Sequence, residues 1–180
     1  MSLKLEELLH KSNKVVFFTG AGISTHSGIP DFRGPKGVWK TSTPIYFQDF
    51  ISSKEKRIES WERKFGNELN IQSALPNKGH KKIAEIMNVK ESFLITQNVD
   101  NLHQDSGVDE KKISELHGNA TFAKCLDCCK RYELEDLKLE FLRTKEPPVC
   151  KVCKGLIKTA TISFGQAMPE EEMQISQREA

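Results

Sequence analysis

No stretch of this 180-residue chain stays apolar for anything near the ~20 residues that a membrane span requires. Nor is there an excess of one charge: 27 basic residues face 25 acidic ones, a formal charge of +2. That balance leaves no electrostatic footprint for direct nucleic-acid binding. The short basic clusters at Lys78–Lys82 and Lys111–Lys112 read as solvated faces. Internal repeats and low-complexity stretches are absent, which argues against a solenoid or a long disordered segment. The opening residues, Met1 to Lys14, mix apolar with charged side chains and lack the apolar core of a secretory signal. These absences point to an intracellular protein, cytoplasmic or nuclear, with no membrane partner.

What is present suits one domain with a core, or one domain carrying a small module. Leu5, Leu8 and Leu9 recur at helical spacing. Val15-Val16-Phe17-Phe18 and Ser92-Phe93-Leu94-Ile95-Thr96 are apolar runs without alternation, the pattern of strands buried on both faces. Ile113 to Leu116 reads as a third strand. Each of the three ends in a polar or glycine-bearing loop, the edge where open α/β sheets bind ligands. Between them, Pro44 to about Ala74 reads as helical, with Ile58, Trp61, Phe65 and Leu69 as its apolar stripe. A further helix is expected over Lys78 to Met87. The pattern predicts an α/β protein with a Rossmann-like parallel sheet interrupted by two insertions. Residues 1–43 and 76–119 would form the first and second parts of the sheet domain. Residues 44–75 would be a helical insertion, 120–157 a cysteine-bearing module, and 158–180 a return to the sheet. Pro169 before three glutamates reads as a helix start.

All five cysteines fall in 120–157. In a reducing compartment they argue for metal binding or chemistry rather than disulfides. Cys125-x-x-Cys128 and Cys150-x-x-Cys153, 21 residues apart, can set four thiolates around one ion. Four thiolates leave no open position for water, so the metal would be structural: one zinc per chain, with iron not distinguished by donor type alone. A short helix over Glu133 to Leu142 would fill the gap. Cys129 is expected to be a non-ligand, although its adjacency to Cys128 leaves the register open by one.

Gly20-Ala21-Gly22-Ile23-Ser24 follows the first strand, where glycines let a backbone approach a pyrophosphate. The dinucleotide fingerprint is incomplete, with Thr25 where a third glycine would stand and no clear acid on a second strand for a ribose. An ordinary strand-to-helix turn fits this motif equally well. Asp31 and Arg33 follow the first strand; Gln97, Asn98 and Asp100 follow the second; His117 follows the third. Each alone reads as a cap or turn residue. A histidine with Asn and Asp at strand ends facing one crevice would suit acid–base chemistry on a ribose.

Taken together, these motifs resemble the sirtuin family. Gly20-Ala21-Gly22-Ile23-Ser24 and Ser27-Gly28-Ile29-Pro30-Asp31-Phe32-Arg33-Gly34 look like its cofactor loop. Thr96-Gln97-Asn98-Val99-Asp100, Glu115-Leu116-His117-Gly118, the cysteine module and Phe164-Gly165 follow in the family's order. The resemblance implies an NAD-dependent protein-lysine deacylase that moves an acyl group from lysine to ADP-ribose and releases nicotinamide. It implies NAD and an acyl-lysine protein or peptide as ligands, and His117 as general base. Asn98, Asp100 and Gln97 would hold the nicotinamide ribose, and Gly20, Ala21, Gly22, Ser24 and Arg33 would line the phosphates. Asp31 and Phe32 would flank the nicotinamide, and Ile162, Ser163, Phe164 and Gly165 would pair with the substrate peptide.

The sequence departs from the family at Asn101 (often Gly), Ala160 (often Asp) and Gln166 (often acidic). The Tyr-x-x-Arg pair of desuccinylases has no counterpart beyond Ser60-Trp61-Glu62-Arg63, so an uncharged acyl group is expected. Family cores continue past this length, so the sheet is expected to be incomplete at its C-terminal side. The rival readings are an ADP-ribosyltransferase or NAD hydrolase using the same site, and a non-catalytic zinc-bearing binding module. A redox dehydrogenase fits less well, because the glycine pattern is incomplete.

Overall fold

A computed structural model of the chain describes residues 2–35, 37–40, 42–66 and 71–180. In chain order the elements are α1 (Ser2–Lys11), β1 (Val15–Thr19), α2 (Phe47–Ser52), α3 (Lys54–Phe65), α4 (Lys78–Val89), β2 (Ser92–Thr96), α5 (Leu102–Asp105), β3 (Ile113–Glu115), β4 (Gly118–Cys125), β5 (Arg131–Glu133), α6 (Leu134–Thr144), β6 (Ile157–Thr161) and α7 (Glu170–Glu179). Short 3-10 turns cover Ala21–Ser27, Val38–Lys40, Ile71–Ser73 and Glu110–Lys112.

The three apolar runs form a parallel sheet in the order β1-β2-β3. Val15 faces Ser92 and Thr19 faces Thr96 across the first ladder; Leu94 faces Ile113 across the second. Central β2 is buried at all five residues, which explains its lack of alternation. Helix α4 packs on this sheet through Ala84 and Met87, which meet Leu94 and Val108, with Phe17, Ile83 and Ile113 around them. Asn77 fixes the start of α4: its carboxamide accepts from the Gly79 amide at 2.8 Å, and the His80 ring accepts from the Asn77 amide at 3.3 Å.

Residues 118–161 form a second, antiparallel sheet in the order β5-β4-β6. The sequence placed 158–180 back on the parallel sheet, but β6 instead pairs with β4, Lys124 opposite Lys158 and Ala123 opposite Thr159. The edge of β3 is occupied by α7. Ser114 donates to the Glu172 carboxylate at 2.7 Å, and the Ser176 hydroxyl donates to Ser114 at 2.9 Å. Only α7 thus returns to the first sheet.

The helical segment and the cysteine module share one core. Trp61 on α3 is buried among Ala123, Cys125, Leu134, Leu137, Phe141, Cys150 and Ile157, with Ile58, Phe65 and Tyr132 against them. Its ring stacks on Phe65 at 5.2 Å, and Phe65 lies 5.7 Å from Phe141. Truncating an aromatic this buried costs about 3–5 kcal/mol. The expected single helical run is broken at Ser53. That residue is extended (φ −115°, ψ 125°) and caps α3 by accepting from the Lys56 amide at 3.1 Å. Leu69, the last member of the expected stripe, lies outside the described residues.

Candidate functional site

The four sulfurs of Cys125, Cys128, Cys150 and Cys153 lie within 4.8 Å of one another. Cys125 and Cys153 Sγ are 3.4 Å apart, Cys128 and Cys150 Sγ 3.6 Å. A tetrahedral zinc with Zn–S near 2.3 Å would space its sulfurs by about 3.8 Å, so the cluster fits that ion. The two knuckles repeat one backbone pattern. The Cys129 and Lys154 amides donate back to Cys125 O and Cys150 O, at 3.1 and 2.9 Å. Both residues take positive φ, 58° and 65°. Cys129 therefore stands where Lys154 stands in the other loop, outside the four-sulfur group. The Cys153 amide and the Tyr132 hydroxyl, 3.1 Å from the sulfur, pull the Cys150 thiol down, while Cys128 and Cys153, bonded to the other sulfurs, shift up.

The second feature is a cleft of about 810 Å³ at the C-terminal ends of β1, β2 and β3. From the first sheet it receives Gly20, Ala21, Gly22, Gln97, Asn98, Val99 and His117; from β6 and beyond, Thr159 and Thr161 to Gln166; from α3, Ser60, Arg63 and Lys64. The turn after β1 starts from extended Gly20 and ends at Gly28 (φ 85°). A side chain at Gly22 would meet no protein atom within 4 Å, so the backbone there is open to a ligand in the cleft. The loop after it carries Asp31, Phe32 and Arg33 to the cleft and is knotted on itself: Asp31 accepts from the Gly34 amide at 2.7 Å and Trp39 N donates to Phe32 O at 3.1 Å. Aromatic rings then bridge the cleft mouth, Phe32 to Trp39 at 5.4 Å and Trp39 to Phe164 at 5.6 Å.

His117 projects from the end of β3. Its Nδ1 lies 2.9 Å from Gln97 O, which fixes the Nδ1–H tautomer and leaves Nε2 as the proton acceptor. Its own carbonyl accepts from Ile162 N at 2.8 Å. The turn needs the next glycine, because Gly118 has φ 70° and a Cβ there would sit 2.0 Å from Ala160 O. Asn98 gives its amide hydrogens to Gly20 O (3.2 Å) and Ser24 Oγ (3.3 Å) and lines the cleft. In the 162–165 segment, the Ile162 amide is taken by His117, the Ser163 amide by the Gln166 side chain at 3.1 Å, and Phe164 O by Phe47 N at 2.9 Å. Among the described residues, Phe164 N and the Gly165 backbone take no part in these bonds.

Two expected site residues do not line the cleft. Ser24 and Asp100 are buried beneath Asn98, where the Ser24 hydroxyl donates to Asp100 at 2.6 Å. Behind them lie two histidines to which the sequence assigned no role, His103 standing there only as part of the motif after the second strand. His80 Nε2 is 3.4 Å from Ser24 Oγ, its ring sits edge-on to His103 at 4.9 Å, and His103 Nε2 is 3.0 Å from Thr19 Oγ1. Burial, then repulsion from His80, pushes the His103 pKa down to about 4 against the attraction of Asp100. The signal for His80 was legible, an Asn three residues ahead of it at a helix start. Lys64 was also missed, because on a helix as charged as α3 it looks like any surface lysine.

A polar crevice at the strand ends of a parallel sheet, beside a four-cysteine cluster, defines an α/β protein of the class whose open sheets hold ligands at that edge. The chain belongs to the Sir2 family, whose model matches residues 20–180. It is 46% identical over 171 residues to a protein of Rhodopseudomonas palustris named NAD-dependent protein deacetylase, covering 94% of this chain and 68% of that one. It is 48% identical over 172 residues to NAD-dependent protein deacetylase 1 of Bradyrhizobium diazoefficiens, covering 95% and 67%. Among solved structures, a Sir2 protein with a p53 peptide and NAD+ superposes with a TM-score of 0.79 at 34% identity, over 98% of this chain and 70% of that one. Another, with a deacetylated p53 peptide and 3′-O-acetyl ADP ribose, gives 0.81 at 34% identity, over 97% and 70%.

Proposed function

We propose that this chain is an NAD-dependent protein-lysine deacylase, transferring an acyl group from lysine to ADP-ribose with release of nicotinamide. The observation that carries the reading is the meeting, in one cleft, of the glycine turn, Gln97 and Asn98, His117 and the 162–165 segment. NAD, when bound, supplies the ADP-ribose that accepts the acyl group. Gly20, Ala21, Gly22 and Arg33 would hold its phosphates, the first three through the backbone that lines the cleft. Gln97 and Asn98 would hold the ribose, and Asp31 and Phe32 would flank the nicotinamide. Ser24 and Asp100 would act through Asn98, by fixing which of its atoms faces the ligand. His117 would take a proton at Nε2 while Gln97 O holds Nδ1–H, so the base keeps one tautomer through the reaction. Phe164 and Gly165 would accept the substrate peptide as an added strand. Cys125, Cys128, Cys150 and Cys153 would hold one zinc, away from the chemistry. Four thiolates suit a reducing compartment, cytoplasmic or nuclear; among the described residues no helix is long and apolar enough to cross a membrane.

The test is mass spectrometry of the protein with NAD and an acetyl-lysine peptide. O-acetyl-ADP-ribose should form only with peptide present, and His117→Ala should abolish it while circular dichroism stays unchanged. Free ADP-ribose without peptide, or near-normal turnover by His117→Ala, would overturn the assignment.

A further inference from the structure

Tyr132 stands on β5 opposite Ala123 of β4 and packs against the core that holds Trp61, Cys125 and Cys150. The Lys130 ammonium sits 5.6 Å from its ring centroid. The ring tip reaches the cysteine cluster: the hydroxyl oxygen lies 3.1 Å from Cys150 Sγ and accepts from the Lys151 amide, also at 3.1 Å. A phenol has one hydrogen and a metal-bound thiolate has none, so the direction of the sulfur contact is fixed. Tyr132 donates to Cys150 Sγ, and its oxygen lone pairs take the Lys151 N–H. One hydroxyl thus fastens both a ligand sulfur and the residue after it to β5.

The four sulfurs are not served alike. Among the described residues, their other side-chain contacts are with one another, Cys125 with Cys153 and Cys128 with Cys150. Cys150 and Cys125 are 0% and 1% exposed, whereas Cys128 and Cys153 face solvent. A chelator or an electrophile therefore meets Cys128 and Cys153 first, and full release of an ion ends at the buried pair. The hydroxyl acts on a member of that buried pair. A hydrogen bond to a thiolate draws off part of its charge, which makes the sulfur a poorer base and nucleophile. It also orients the sulfur, and removing such a partner of a metal ligand costs about 10–100-fold in affinity.

We propose that the Tyr132 hydroxyl is an outer-sphere donor of the four-cysteine site, holding the Cys150 thiolate in place and setting how slowly the chain gives up its zinc. The inference rests on the zinc reading of the cluster and is independent of the deacylase reading.

The test compares zinc-loaded wild type with Tyr132→Phe, which keeps the ring and its packing and removes only the hydroxyl. Zinc release into excess chelator should be at least about tenfold faster in the variant. Cobalt(II) in place of zinc reads the sulfur directly. A hydrogen bond lowers the energy of a thiolate lone pair, so its loss in Tyr132→Phe should move the sulfur-to-cobalt charge-transfer band to longer wavelength. Iodoacetamide should also reach Cys150 sooner in the zinc-loaded variant, located by peptide mass spectrometry. A release rate equal to wild type overturns the proposal. So does faster release with an unmoved cobalt band, which would leave the hydroxyl as a tie to Lys151 alone. Wild-type protein that neither holds zinc on isolation nor takes it up would fail the zinc reading first, and the proposal with it.

Discussion

The buried histidine behind the cleft gives a stability prediction with a sign and a size. His103 is 1% exposed and held neutral, its pKa about 4 against an ordinary 6.5. The unfolded chain takes up a proton near pH 6.5, whereas the folded chain resists until about pH 4. Stability from this group is thus complete above about pH 6.5 and is lost as pH falls toward 4. Between pH 8 and pH 5 the loss works out at about 2 kcal/mol, rising to about 3 kcal/mol at the limit. Zinc-loaded protein should be unfolded in urea across that range beside His103→Gln, which cannot titrate. His80 and the cysteines remain in both, so the difference between the two stabilities isolates His103. Wild type should lose about 2 kcal/mol relative to the variant on going to pH 5. Parallel stability profiles, or an NMR titration of His103 centred near 6.5, would refute the reasoning.

Chelation should remove one zinc per chain and shift Trp61 emission to the red, since Trp61 shares its core with Cys125 and Cys150; an unchanged spectrum after full metal loss would break that link. Gly118→Ala sets a methyl 2.0 Å from Ala160 O at φ 70°. It should cost at least about 2 kcal/mol and displace His117, so a melting temperature within about 1 °C of wild type would count against that geometry.

The strand-end loops were legible because burial on both faces leaves a mark in sequence: Ser92 to Thr96 has no polar face, and its end is where polar residues gather. The cysteine module was legible because metal geometry dictates spacing. The partner of β6 was not. Lys158-Thr159-Ala160-Thr161 would suit either sheet, and only α7 on the edge of β3 decides it. The depth of Asp100 was hidden as well, since an acid after a strand looks the same whether it faces a ligand or a buried serine. Residue type told what could react, but not which of Asn98, Ser24 and Asp100 meets the cleft.

Helix α3 turns Trp61 and Phe65 inward to the metal module and Ser60, Arg63 and Lys64 outward to the cleft, while His117 and Asn98 come from strand ends elsewhere in the chain. One wall of the cleft and the proposed base are therefore carried on separate pieces of backbone. Drift on the outward face of one helix can retune what the cleft accepts without disturbing the base or its tautomer. Metal loss would instead reach both pieces, α3 through Trp61 and His117 through β4, which runs from Gly118 to Cys125.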